Sequence, residues 1–464
     1  MDIVARIGVA AATACFLRSN RRQATSCEGT PTPDDFARTS SFKRRLLGAP
    51  EFEAGVTIRT LRQDPLTHAW ILFLQNQRIG PKKPHQWTGE KSRAPRAHEM
   101  TPHSPQCPFC IGNEEATEQL RVTLQDEFVE HEGWPEAKEE LHQWQVRVVR
   151  NKFPYLGTPD GLYAKEAPWP VHQWPIHYGS MMNDAVHPCP DDPLYGQLDG
   201  FGFSEVVVES PKHNEHLALS TDKHVYFVLK ALAMRGRSLR QHPMSKQLLF
   251  FRQYGSETGS SLVHPHSQIC SLPMVSHGLH KLMKDHRRFH TEHGERAAHK
   301  LYVHDILHGD PFARLRLVHE TEHFVASMPY AGHTRELVIS PKRHNPRFED
   351  STDDELRDLG RMLRLVLAAV YRTRDDPPYS LFWESAPPPQ TVLGWGPGEK
   401  AIVEECFCWT LRIRVPRTIA GFELATGISI CDTLPEDAAK TLRAAVSEEL
   451  AQSLRDKFGV DAGE

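Results

Sequence analysis

One strand-and-turn pattern occurs twice in this chain. Glu205–Ser210 reads EVVVES and runs into Pro211, Lys212 and His213; Glu336–Ser340 reads ELVIS and runs into Pro341, Lys342, Arg343 and His344. Both runs are β-branched, which favours a pleated strand, and both leave through a Ser-Pro-Lys turn carrying a histidine. A helix is expected after each. In the first copy Ser220 or Thr221 can cap, and Val225, Val228, Leu229 and Leu232 fall on one face. In the second, Ser351 with Asp354 reads as a capping-box start, ahead of the stripe Leu356, Leu359, Leu363, Val366 and Val370. Each helix leads to an apolar strand, Leu248–Phe251 or Leu381–Trp383. The first copy then reaches Val263-His264-Pro265-His266, the second Trp409–Val415. Strand, turn, helix, strand, strand, given twice, predicts an α+β domain duplicated within one chain, an antiparallel sheet with packed helices.

At 464 residues there is room for two such halves. We place an N-terminal catalytic half at 56–275, a C-terminal half at 276–450 and a tail at 451–464. Residues 157–200, rich in Pro, Gly, Trp and His, read as a long loop or insertion. Residues 1–55 differ from the rest: Ile7–Leu17 is apolar, and Arg18, Arg21, Arg22, Arg38, Lys43, Arg44 and Arg45 follow. Two readings stand, an organellar transit peptide or a disordered extension with no address. The first puts the protein in a plastid or mitochondrion, the second in the cytoplasm. A net charge of −4 gives no basic field for nucleic acid, so an anionic substrate must be held by local groups. No apolar run reaches eighteen residues, and no membrane span is expected. Nine scattered cysteines, an odd number without a secretory signal pattern, favour thiols or metal ligands over a disulfide framework.

Two short motifs carry chemistry. Cys107-Pro108-Phe109-Cys110 is a C-x-x-C hairpin that can supply half of a tetrahedral zinc site, with redox use as the competing reading. His264-Pro265-His266-Ser267-Gln268 is the other. With 27 histidines, a random chain of this length holds roughly one or two H-x-H triplets, so surface histidines near a turn are a competing reading. Its setting strengthens it: in a strand His264, His266 and Gln268 share a face, and the Gly255–Ser261 loop before them offers backbone N–H groups to a phosphate. A histidine bound to zinc cannot also be a free nucleophile. One of the pair can therefore complete a metal site while the other attacks phosphorus. Gln268 can donate its amide N–H to a phosphoryl oxygen.

These segments together resemble the galactose-1-phosphate uridylyltransferases and their relatives in the histidine-triad superfamily. The resemblance runs from about Asp64 to Leu442 and is carried by DPLTHAW, CPFC, RNKFPYL, VVVESPKH, HPHSQ, GFELATG and LPEDAA. It implies a duplicated histidine-triad-like fold and a structural zinc bound by Cys107, Cys110, His213 and His264. It further implies that His266 takes the nucleotidyl group, with Gln268 and Ser261 on its phosphate. Asn151 and Phe153 match positions that cradle the nucleoside, Arg78 a basic position near the phosphates, and Gln253 a position where the family usually has Asn. Cys406 and Cys408 read as buried thiols, and His344 as a relic of duplication.

The expected activity is ping-pong transfer of a nucleotidyl group from a nucleotide sugar to a sugar 1-phosphate, as in a UDP-hexose–hexose-1-phosphate uridylyltransferase. Three departures bear on the substrate. Residues Cys408–Ile413 replace a histidine pair that can hold a second metal, Gln253 replaces Asn, and Gly421–Gly427 lacks a hexose-binding Gln. The Thr426-Gly427 form looks more like ADP-glucose phosphorylases, which move AMP and can use inorganic phosphate. Two rivals are a non-catalytic zinc- and nucleotide-binding protein and a histidine-triad hydrolase. Gln268, where hydrolases usually carry a third histidine, favours transfer. The resemblance also implies a homodimer.

Overall fold

The computed structural model describes residues 58–64, 66–67, 70–75, 100–113, 118–130, 143–156, 187–189, 192–197, 202–260, 262–332, 336–389, 391, 403–416 and 421–458. The chain clusters into two units, 1–52 and 53–464, and all described residues belong to the second. The N-terminal extension and the question of its address lie outside the described residues. Among those described, no helix is long and apolar enough to cross a membrane.

Strands β1 (Ile58–Gln63) and β2 (Trp70–Gln75) are followed by β3 (Glu118–Val122), β4 (Phe128–Glu130) and β5 (Val146–Arg150). Then come β6 (His187–Cys189), β7 (Asp192–Gln197) and β8 (Ser204–Val208). Helix α1 (Asp222–Leu239) leads to β9 (Gln247–Tyr254) and β10 (His266–Leu272), and α2 (His277–His293) to β11 (Leu317–Glu320), β12 (Phe324–Ser327) and β13 (Glu336–Pro341). Helix α3 (Asp353–Arg374) precedes β14 (Tyr379–Glu384) and β15 (Thr410–Arg414); β16 (Ser429–Cys431) and α4 (Pro435–Phe458) close the chain.

Eleven strands form one sheet in the order β11-β12-β13-β15-β14-β9-β10-β8-β5-β3-β4, every neighbouring pair antiparallel. The fold is α+β, as expected. From the central β9–β14 pair outward, each side gives the strand after the helix, its hairpin partner and then the Ser-Pro-Lys strand. The stripes of α1 and α3 lie against one face of this sheet. Val225, Val228, Leu229 and Leu232 join Leu356, Leu359, Leu363, Val366 and Val370 in one buried cluster with Val207, Ile269, Phe250, Leu381 and Leu411. Burying such side chains stabilises by roughly 1.5–3 kcal/mol each.

Four sequence expectations shift in detail. The capping box of α3 is Thr352 with Glu355, one residue later than Ser351 with Asp354. Both frames fit the pattern, but the longer glutamate reaches back to the Thr352 N–H (2.8 Å) while also taking Arg343 (2.6 and 2.8 Å). Within the segment read as loop, β6 and β7 form a two-stranded hairpin. The final helix runs to Phe458, so 451–458 is not a free tail. In GFELATG, a short helix over Gly421–Thr426 ends on Gly427 at φ +70°, whose N–H donates to the Glu423 carbonyl. Thr426-Gly427 is thus a helix stop.

Candidate functional site

The Ser-Pro-Lys turn after β8 is where the metal-ligand candidates meet. Lys212 N–H donates to the Ser210 hydroxyl (3.1 Å), which tightens the turn. His213 N–H donates to the Pro102 carbonyl (2.8 Å), and the Asn214 side chain to that of Met100 (3.1 Å). These bonds tie the 100–113 loop to the strand end. Within the loop, Cys110 N–H donates to Cys107 O, the Asn113 side chain reaches Ser104 O and Cys107 O, and Gly112 takes φ +93°. Such a geometry turns both cysteines inward, where they are buried.

One ligand atom from each of Cys107, Cys110, His213 and His264 lies within 4.8 Å of the others. The Cys110 sulfur is 3.5 Å from His213 Nδ1 and 3.6 Å from His264 Nδ1, and the two Nδ1 atoms are 3.4 Å apart. Four atoms each about 2.0–2.3 Å from a common tetrahedral centre have this spacing, so the group can hold a metal ion. His264 Nε2–H donates to the Ser210 carbonyl (2.8 Å), which leaves Nδ1 bare toward the cluster. Burial pushes the Cys107 thiol up to about 11 and the His264 imidazole down to about 3. Both shifts keep the set neutral on its own; a cation among the donors favours the thiolates. Among the described residues no other such group occurs.

His266 is the first residue of β10, and His264 lies in the bend before it. The pair therefore straddles the strand start rather than projecting together from within it. His266 is buried, and its Nδ1 sits 2.8 Å from the His264 carbonyl. A carbonyl only accepts, so Nδ1 carries the proton and Nε2 of the neutral ring holds the lone pair. Burial lowers the His266 pKa, which favours that neutral form. The Phe109 ring, from between the two cysteines, lies 5.8 Å from each of the His264 and His266 rings. Composition and spacing gave Phe109 no role; its place inside C-x-x-C is the signal that it faces whatever the cysteines hold.

The remaining nominated residues divide. Gln268 pairs across from Phe251 in β9, so Gln253, two residues on, leaves that strand on the same face as Gln268 and His266. The Gln268 side-chain oxygen is buried without a hydrogen-bond partner. The Gln253 amide donates to the Thr258 carbonyl. In the glycine-serine loop, Thr258 and Gly259 spend their N–H groups on Gly255 and Ser256, so the loop offers fewer free donors than expected. Asn151 makes a turn, its side-chain oxygen accepting from Phe153 N–H (2.9 Å), and Phe153 is 82% exposed, with Tyr155 beside it 76% exposed. Arg78 and Ser261 lie outside the described residues. Cys406 and Cys408 are buried thiols, and burial pushes Cys408 up to about 12. His344 bonds the Phe407 carbonyl through Nε2 (2.9 Å). On β15, half-buried Arg412 pairs with Glu336 (2.8 Å) and Glu384 (2.7 Å). A cavity of about 310 Å³ beside Gln247, Asp285 and Trp383 contains none of the nominated residues.

Comparison with known proteins gives a consistent answer. The family described as galactose-1-phosphate uridyl transferase, N-terminal domain, matches residues 180–276. The chain is 28% identical to an ADP-glucose phosphorylase of Arabidopsis thaliana over 82% of its own length and 92% of the relative's. It is 24% identical to a galactose-1-phosphate uridylyltransferase of Thermotoga maritima, over 82% and 97%. The solved structure of a galactose-1-phosphate-uridylyltransferase-like protein from Arabidopsis thaliana superposes with a TM-score of 0.57 at 25% identity, covering 83% of this chain and 98% of that one. The crystal structure of an Arabidopsis thaliana ADP-glucose phosphorylase with bound ADP-glucose gives 0.57 at 24%, covering 83% and 99%. Over most of its length the chain is thus similar to galactose-1-phosphate uridylyltransferases and to ADP-glucose phosphorylases, both nucleotidyl-transferring enzymes.

Proposed function

We propose that this protein transfers a nucleotidyl group from a nucleotide sugar through a covalent nucleotidyl-histidine on His266. The observation that carries the reading is the Nδ1–H bond to the His264 carbonyl, which leaves Nε2 as the nucleophilic atom. In the first step the Nε2 lone pair attacks the α-phosphorus. The bond from that phosphorus to the bridging oxygen breaks, and hexose 1-phosphate departs with the electron pair. In the second, an oxygen of a sugar 1-phosphate or of inorganic phosphate attacks the same phosphorus and the P–N bond breaks. The amide of Gln268, on the nucleophile's face, donates to the phosphoryl oxygens as charge develops, with Ser261 assigned the same task. Asn151, Phe153, Gln253 and Arg78 are assigned to the nucleotide.

Zinc is the metal that two thiolates and two imidazoles at tetrahedral spacing suit best. With all four positions filled by protein, its part is to hold the 100–113 loop and Phe109 against the histidines. The mirrored strand order and the two Ser-Pro-Lys turns support an origin by duplication, with the chemistry kept in the 56–275 half. A homodimer is part of the same reading.

Two donors are in play. A UDP-hexose follows from the family at large. ADP-glucose, with phosphate as acceptor, is favoured by the higher identity to the plant phosphorylase and by Thr426-Gly427. Intact mass after incubation with each sugar, under non-acidic conditions that preserve a phosphoramidate, tests both. An AMP or UMP adduct is expected, and its mass names the donor. The adduct should be absent in His266→Asn. Turnover that survives in that variant would sink the mechanism.

A further inference from the structure

The nucleophile is also gripped from the opposite face of its strand. Ser267, between His266 and Gln268, points to the helix-covered side and is buried. Its hydroxyl donates to Glu209 Oε1 at 2.6 Å. Glu209 is itself 1% exposed, and its backbone N–H donates to the Pro265 carbonyl (3.1 Å), so this one residue holds the chain on both sides of His266. Its carboxylate also takes Arg252 Nε at 2.9 and 3.1 Å. Arg252 belongs to β9, is buried, and lies 5.3 and 5.2 Å from the ring centroids of Tyr254 and Tyr379. It donates through Nη1 to the Tyr379 hydroxyl (2.8 Å), on β14 across the midline of the sheet. The carboxylate thus joins three strands of one side to the first strand of the other, behind the reacting group.

We infer that Glu209, Ser267, Arg252 and Tyr379 form a clamp of positioning residues that fixes where His266 Nε2 sits, so that β14 contributes to chemistry done on β10. None of them projects from the His266 face. Their action is through the Pro265–Ser267 backbone, where a displacement of even 1 Å costs attack geometry heavily. This rests on His266 being the nucleophile.

Ser267→Ala is the sharpest test, because it removes one bond of the clamp and leaves the buried Glu209–Arg252 pair intact. The measurement is the single-turnover rate of nucleotidyl-enzyme formation as a function of nucleotide-sugar concentration, using whichever of ADP-glucose and UDP-glucose loads the wild type. The maximal rate should fall by roughly tenfold or more while the half-saturating concentration stays within about twofold. Ser267→Thr, which keeps the hydroxyl, should restore it. Tyr379→Phe should show a smaller loss of the same kind, with bound zinc and circular dichroism unchanged in all three. Loading of Ser267→Ala at the wild-type maximal rate would overturn the clamp while leaving the nucleophile standing. So would a loss confined to half-saturation, or one that the threonine fails to rescue. Absence of any adduct on the wild type overturns the proposed function, and the clamp with it.

Discussion

Two histidines separated by one proline use opposite ring nitrogens. His264 gives Nε2–H to Ser210 and keeps Nδ1 for the cysteines; His266 gives Nδ1–H to His264 and keeps Nε2. In the proposed mechanism, which backbone carbonyl each ring meets is what divides metal binding from nucleophilicity. Replacing Cys110 by Ala removes one of the four candidate donors and the sulfur that accepts from Ser104 N–H (3.4 Å). Bound zinc, read by elemental mass spectrometry, should drop from one per chain to near none. Adduct formation should slow by roughly 100-fold as Phe109 loses its hold on the His266 ring. Full zinc occupancy in that variant would reject the ligand set. The C-x-x-C and H-x-H spacings drew notice to Cys107, Cys110, His264 and His266. Grouping Cys107, Cys110, His213 and His264 in one site came from the family resemblance, because among 27 histidines a lone His213 carries no signal of its own. Glu209 and Arg252 were not legible. A single carboxylate at the end of EVVVES and a single arginine inside an apolar strand look like strand-edge charges until the register puts them on the covered face.

Helix faces were legible in full, since the 3.6-residue period acts over many residues and all nine nominated stripe positions of α1 and α3 are buried. Helix contacts were not, because sequence does not say how closely two axes approach. Gly360 of α3 meets the backbone of α1: a Cβ built there would lie 2.9 Å from Tyr226 N and 3.0 Å from Asp222 O. Alanine ordinarily stabilises a helix interior by about 1 kcal/mol over glycine. Here the close backbone reverses the sign, and Gly360→Ala should destabilise by roughly 1–3 kcal/mol. Urea unfolding measures it; a midpoint that rises would mean that the helices can part at no cost. The α3 cap makes a smaller prediction at this scale. Thr352→Ala, which removes the Glu355 N–H partner, should lower stability by about 1 kcal/mol, while Thr352→Ser should leave the midpoint nearly unchanged. A Thr352→Ala midpoint equal to wild type would show that Glu355 satisfies that helix end alone.

The whole molecule turns on one seam. β9 and β14 pair through Tyr254–Tyr379 to Phe251–Phe382, and one buried cluster runs beneath both. Alternating strands and helices announced two similar units, but nothing in either repeat says that its sheet continues into the other's. Cutting at 275/276 would leave β9 as a bare edge beside an uncovered apolar face. The full chain should therefore melt in one calorimetric transition, and residues 56–275 alone should aggregate or self-pair; a monomeric, folded fragment would show that the seam is dispensable. The mirrored strand order has a consequence for counting. Two positions flank the seam alike, β10 on one side and β15 on the other, yet only β10 carries an imidazole; β15 presents Arg412, already committed to Glu336 and Glu384. An active-site titration should accordingly find one equivalent of nucleotidyl label per polypeptide, so that the burst amplitude reads the concentration of competent chains directly.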